Sequence, residues 1–122
     1  MDAEELLRRY AAGERNFTGA KLSRAKLIGV KLVGVNLWGA DLRGANLARA
    51  KLWGANLSGA NLSGANLTRA NLSGAKLNEA NLRQAKLNYT KLFGASLSGA
   101  YYDDSTRFSR GFDPQSRNMR KV

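Results

Sequence analysis

Few side chains in this sequence could carry out acid–base, nucleophilic or metal chemistry, and those few are far apart. None of the 122 residues is His or Cys, so the commonest proton shuttle and the thiolate nucleophile are both missing. Asp41 and Glu79 each stand alone in a long repetitive stretch, and Asp103 and Asp104 precede Ser105, a pattern typical of turn or helix capping. We therefore predict a protein that is not an enzyme, with no cofactor and no metal site.

Basic residues are much more abundant than acidic ones in this sequence. The chain holds 20 Lys and Arg against 9 Asp and Glu, for a net charge of +11, and residues 16–100 alone carry twelve basic residues and two acidic ones. Positive charge of this density on the body of a protein predicts an anionic partner. The first residues lack an apolar run long enough for a signal peptide or a membrane span, and we predict a cytoplasmic location without a transmembrane segment.

These groups must be positioned by a chain with an unusual period. Leucine, or Phe17 at the start, recurs at every fifth position through Leu97, which makes seventeen repeats. A five-residue step would spiral around an α-helix and would alternate between the faces of a strand. Only a chain that bends once per repeat brings every leucine to one axis, so the period predicts a solenoid.

The other repeat positions indicate how the chain bends. Alanine stands two residues before the leucine in thirteen repeats, which predicts an inward position that must be small. Glycine stands two residues after it in eleven repeats, as the third position of a type II turn requires. We predict a different turn type at the exceptions, which are Arg24, Arg49, Arg69, Glu79, Gln84 and Tyr89. Stacked asparagines such as Asn36 and Asn56 could also form an amide ladder.

The tandem motif A-(N/D)-L-x-x resembles the pentapeptide-repeat family, and the segment RFSRGFDP resembles the closing part of members common in photosynthetic bacteria. The resemblance implies an all-β solenoid, a right-handed quadrilateral parallel β-helix with four repeats in each coil. Seventeen repeats would then make about four coils.

The flanks are expected to cover the ends of the solenoid, because exposed coil ends leave apolar surface and unpaired strand edges. Residues 1–15 predict an N-terminal α-helical cap that starts with a capping box from Asp2 to Glu5. Residues 16–100 form the repeat array. Residues 101–122 form a C-terminal cap or tail rich in aromatic residues, and both a lid over the last coil and a self-association surface are open.

Residues twenty apart should stack if four repeats make a coil. One set combines stacked lysines with exposed aromatic residues, each of which costs stability. This candidate partner-binding face consists of Lys31, Val33, Lys51, Trp53, Lys91 and Phe93, with Trp38 on an adjoining face. Lysine stems lying over the rings are the alternative explanation. The remaining basic residues, including Arg49 and Arg69, are expected to form a solvated surface.

Some members of the family associated with quinolone resistance resemble DNA and bind type II topoisomerases through carboxylates along the rod. Here the corresponding position holds seven Lys and eight Asn but only one Asp, so a DNA-mimic role is disfavoured on charge. The leading hypothesis is a non-catalytic scaffold whose basic, partly aromatic surface binds an acidic protein. The alternative is binding of nucleic acid or another anionic surface through the basic rod.

Overall fold

The computed structural model describes all 122 residues, and most of them form stacked coils. Parallel bridges join the residue before each leucine to the residue twenty positions later, from Asn16 and Asn36 to Asn81 and Tyr101. Backbone hydrogen bonds run in both directions, as where the Leu32 N–H donates to the Lys51 carbonyl at 2.9 Å. Four pentapeptides therefore close one coil, as the resemblance implied.

The core is one apolar column. Every leucine from Leu22 to Leu87 is at most 1% exposed, and the alanines two positions before a leucine, from Ala40 to Ala85, are equally buried. The alternation of a large and a small inward residue fills the axis of each coil without the mixed side chains of a globular core. Thr90 takes an alanine position, and its hydroxyl donates to the Leu67 carbonyl at 2.7 Å. No buried side-chain nitrogen or oxygen atom lacks a partner.

All seventeen corners have the same geometry. The carbonyl of each central residue accepts a hydrogen bond from the N–H three residues later, and the residue two after the centre has a positive φ. Positive φ at this position alone is the sign pattern of a type II turn. The prediction of a different turn type at the non-glycine corners is wrong, because Arg24, Arg49, Arg69, Glu79, Gln84 and Tyr89 have φ between 58° and 62°.

Asparagines stabilise these corners from inside each repeat. The Asn36 Oδ1 atom accepts from the Trp38 N–H at 3.0 Å, and Asn56 and Asn71 do the same for Ser58 and Ser73. Such a bond is an Asx turn. No hydrogen bond joins one stacked amide to the next, so the amide ladder considered from the sequence is not formed.

The N-terminal helix α1 spans Ala3–Ala11. The Asp2 carboxylate accepts from the Glu5 N–H at 2.8 Å, which confirms the predicted start of the helix. Leu6 and Tyr10 are buried and join the same apolar cluster as the leucines. The Tyr10 hydroxyl donates to the Val33 carbonyl at 2.7 Å, so the helix lies against the first coil.

Short strands at the C-terminus extend the ladder. Strand β1 (Lys86–Leu87) pairs in parallel with β3 (Arg107–Phe108), and β2 (Tyr101–Tyr102) pairs in parallel with β4 (Arg120–Lys121). A 3₁₀ turn at Gln115–Arg117 precedes β4.

Polar and aromatic contacts hold the tail on the last repeats. The Arg117 guanidinium donates to the Leu92 and Ala95 carbonyls at 3.3 and 2.7 Å. The Phe108 and Phe112 rings stack with their centroids 4.7 Å apart. These contacts occupy the strand edge that the array would otherwise expose.

Candidate anion-binding surface

The predicted stacking of lysines is present. Bridges connect Lys31 to Lys51, Lys51 to Asn71, and Asn71 to Lys91, and we call these four residues the lysine column. Its three lysines are exposed, and none takes part in any of the protein's four salt bridges. The column is therefore an uncompensated row of positive charge along one face of the coils.

One border of the lysine column is formed by the residues that follow its leucines. The Gly34 N–H donates to the Trp53 carbonyl at 3.0 Å, and the Gly74 N–H donates to the Phe93 carbonyl at 2.9 Å. Val33, Trp53, Ser73 and Phe93 therefore stack, and we call this row the aromatic edge. Phe93 is 88% exposed and Trp53 is 41% exposed, whereas Val33 is half-buried.

Trp38 does not belong to the aromatic edge. Its carbonyl accepts from the Gly19 N–H at 2.8 Å, and the Gly39 N–H donates to the Ser58 carbonyl. These bonds place Trp38 in the next column of turns around the coil, one face away from Trp53. Its side chain is 53% exposed, so it adds apolar surface on the neighbouring face of the coils and not along the aromatic edge.

The lysines also leave their own turns without the Asx bond. No acceptor within the protein takes the N–H of Val33, Trp53 or Phe93, whereas Asn71 in the same column bonds to the Ser73 N–H at 3.0 Å. Lysine at these positions thus removes one local hydrogen bond for each turn.

Acidic residues of the array lie elsewhere. Asp41 is held by Arg43, whose Nε and Nη2 atoms donate to its two carboxylate oxygens at 2.8 and 2.7 Å. These hydrogen bonds lower the pKa of Asp41. Glu79 occupies a corner in a different column. Neither acid borders the lysine column.

Lysine stems do not form the cation–π contacts of this protein. All five such contacts use arginine, as where the Arg69 guanidinium lies 4.8 Å from the centroid of the Tyr89 ring. None involves Trp38, Trp53 or Phe93. Phe93 is almost fully exposed, whereas Trp53 is partly covered.

The other border of the lysine column carries residues that the sequence interpretation treated as ordinary solvated charges. The Arg49 N–H donates to the Thr68 carbonyl at 2.9 Å, and the Arg69 N–H donates to the Asn88 carbonyl at 3.0 Å. Arg49, Arg69 and Tyr89 therefore stack, and we call them the arginine edge. Their twenty-residue spacing and shared lack of glycine were the signals in the sequence.

The two adjacent acids near the C-terminus hold a turn and a salt bridge. The Asp103 carboxylate accepts from the N–H groups of Ser105 and Gln84 and from the Thr106 hydroxyl. Burial alone would raise the pKa of Asp103, but these hydrogen bonds outweigh it and lower the pKa. The turn-capping role predicted for this residue is confirmed. Asp104 pairs with the Lys121 ammonium at 2.8 Å, and no three potential metal ligands cluster anywhere.

Known structures resemble this fold. A pentapeptide repeat protein from Nostoc PCC 7120 is 37% identical with a TM-score of 0.72, and the match covers 99% of this chain and 96% of that protein. One from the cyanobacterium Cyanothece 51142 is 43% identical with a TM-score of 0.76, over 76% of this chain and 63% of that one. One from the Arabidopsis thaliana thylakoid lumen is 32% identical with a TM-score of 0.57, over 77% and 70%.

Sequence comparison agrees with the structures. No curated protein matched the chain, and no helix is both long and apolar enough to cross a bilayer. The predicted cytoplasmic location stays a prediction.

The family model for pentapeptide repeats matches eight copies within residues 16–39, 26–64, 40–78 and 65–101. The chain therefore belongs to the pentapeptide-repeat family, whose members adopt a right-handed quadrilateral β-helix.

Proposed function

We propose that the protein is a non-catalytic scaffold that binds an acidic protein through the lysine column and the aromatic edge. The observation that carries the proposal is the side-by-side placement of three unpaired lysines and two exposed aromatic rings. Stacked like charges and exposed aromatic surface both lower the stability of the free protein. An acidic partner that buries the rings would offset both costs.

The chemistry of the two rows favours a protein partner. Aromatic side chains are the usual energetic anchors of protein interfaces, and surrounding charges set orientation and association rate. Trp53 lies two residues after Lys51, and Phe93 two residues after Lys91, so each ring shares its repeat with a lysine of the lysine column. A partner with carboxylates around an apolar patch would complement this pattern.

The same proposal assigns the flanks to the ends of a right-handed solenoid of about four coils. Residues 1–15 act as the N-terminal cap, residues 16–100 as the binding array, and residues 101–122 as the C-terminal cap. The burial of Leu6 and Tyr10 supports the first assignment, and the parallel pairing of β1 with β3 supports the last. The caps keep the binding face rigid, which lowers the entropy cost of association.

Capture of the acidic partner from a lysate of the source cells tests the interface. Trp53→Ser should leave the thermal stability nearly unchanged, because its ring is outside the leucine column, and should lower partner capture by about tenfold or more. Lys51→Glu should also weaken capture, and more strongly at low salt, because exposed charges are screened as ionic strength rises.

Arg83→Glu is the matched control, since it makes the same size of charge change on a different face. It should leave capture close to that of the original protein. If Arg83→Glu weakens capture as much as Lys51→Glu while Trp53→Ser has no effect, the protein is a diffuse polycation and the proposed interface is wrong.

A further inference from the structure

We infer that the arginine edge, together with the lysines beside it, binds single-stranded nucleic acid. The aromatic edge lies on the opposite border of the lysine column, so the two surfaces share the lysines of that column, but the inference does not rest on the acidic-protein interface. Its core residues are Arg49, Arg69 and Tyr89, which occupy one corner of three successive coils.

Residue type distinguishes this corner from the others, because three of its four coils carry a large side chain in place of glycine. Its residues have φ of 60°, 61° and 58°, in the left-handed region where glycine is the least strained residue. The corner of the aromatic edge, in contrast, has glycine in every coil: Gly34, Gly54, Gly74 and Gly94. Three large side chains kept in a left-handed conformation along a single edge indicate a use for those side chains.

Charge around this edge has one sign. The lysine column borders it on one side, and on the other side lies a column with Lys26 and Lys86, whose last bridge is to Arg107. Seven of the twelve basic residues of the array lie on these two columns and the edge between them, and both acids of the array lie elsewhere. They are Lys26, Lys31, Arg49, Lys51, Arg69, Lys86 and Lys91.

The types of side chain favour a phosphodiester over a carboxylate polymer. An arginine guanidinium presents a planar fork of donors that matches phosphate oxygens bidentately. Tyr89 is 68% exposed and contacts the Arg69 guanidinium 4.8 Å from its ring centroid. An exposed tyrosine ring next to arginines offers a stacking platform for an unpaired base.

Dimensions agree with a short single strand. Coils repeat at about 4.8 Å, so Arg49 and Tyr89, two coils apart, lie about 10 Å from each other along the axis. A strand that follows the edge would meet Arg49 and Arg69 in the two middle coils and lysines of the bordering columns in the first and last coils. The bases of a duplex are already stacked inside it, so Tyr89 would contribute nothing to duplex binding.

The test is fluorescence anisotropy of a labelled oligothymidylate with the full chain, titrated at several salt concentrations. The double variant Arg49→Gly/Arg69→Gly should lower the affinity at least tenfold and reduce the slope of log K against log salt by about 1.4, or 0.7 for each lost phosphate contact on a single strand. Tyr89→Gly should lower the affinity about fivefold or more without changing that slope, because stacking releases no counterions. Each variant places glycine at a left-handed corner, so loss of the fold does not explain loss of binding.

Arg24→Gly is the matched control, because Arg24 has the same φ of 61° on a different edge, and it should bind as the original protein does. Trp53→Ser should also bind normally, which separates this surface from the acidic-protein interface. Equal loss in Arg24→Gly, unchanged affinity in Tyr89→Gly, equally tight binding of a duplex, or equal competition by a polyglutamate peptide would each overturn the inference.

Discussion

At the scale of single residues, the residue type at the position before each leucine determines whether the turn gains a hydrogen bond or the surface gains a positive charge. Asparagine or aspartate at that position accepts the N–H of its own turn, as Asn56 does at 3.0 Å. Lysine carries a charge but has no acceptor atom. The three lysines of the lysine column therefore trade three turn hydrogen bonds for three positive charges.

Lys51→Asn should raise the stability of the free protein. The new amide can accept the Trp53 N–H, and a net hydrogen bond contributes about 0.5–1.5 kcal/mol. Relief of the repulsion with Lys31 should add a few tenths of a kcal/mol. Thermal or urea denaturation followed by circular dichroism measures the change.

Lys76→Asn is a useful comparison, because its bridged neighbours are Asn56 and Ser96, not lysines. It should gain the turn hydrogen bond without the charge relief and should stabilise less than Lys51→Asn. A Lys51→Asn protein no more stable than the original would show that the lysine column has no cost.

At the scale of elements, the stacking of the coils determines the backbone geometry of a corner more than the residue at that corner does. Glycine corners of the array have φ between 64° and 74°, and the non-glycine corners have φ between 58° and 62°, in the same left-handed region. The stacked bridges on both sides of a corner determine its backbone path. Glycine was therefore informative about the turn in the sequence, but its absence did not predict a different turn.

Gly54→Val should destabilise the protein by about 1–3 kcal/mol, because a β-branched residue is strained at a φ of 70°. An added Cβ at Gly54 would meet no atom within 4 Å, so the cost is conformational. Ser58→Val is the control, since Ser58 also lies at a turn but without positive φ. Equal changes in urea midpoint at the two sites would contradict this explanation.

At the scale of the whole molecule, the periodic part of the fold could be predicted from the sequence and the ends could not. Leucine and alanine in strict register define the buried column, because each coil repeats the contacts of the one before it. After Tyr101 the register breaks, and Lys86 pairs with Arg107, twenty-one residues later. Such pairing accompanies hydrogen bonds to the last repeats that no period in the sequence predicts: the Asp103 carboxylate accepts from the Gln84 N–H, and Thr106 and Arg117 donate to backbone carbonyls.

The two binding edges show the same limit. The stacking of Trp53 with Val33 and Phe93 follows from the twenty-residue coil and was predicted. The residues of the arginine edge have the same twenty-residue spacing, but the binding role inferred for them depends on the left-handed φ of Arg49, Arg69 and Tyr89. Conformational strain of this kind is visible only in the structure.

The end of the rod should respond to acid through Asp103. Its pKa is lowered in the folded protein, so its contribution to stability is present above the ordinary aspartate pKa of about 3.9 and is lost as the pH falls through the lowered value.

Asp103→Asn should therefore melt at a lower temperature than the original protein at pH 7. The difference between the two melting temperatures should shrink as the pH falls below about 4. Asp104→Asn is the neighbouring control, because its salt bridge with Lys121 is exposed and such surface pairs contribute little to stability. A difference for Asp103→Asn that stays constant from pH 7 to pH 2, or a larger effect from Asp104→Asn, would show that the Asp103 carboxylate does not hold the tail on the last coil.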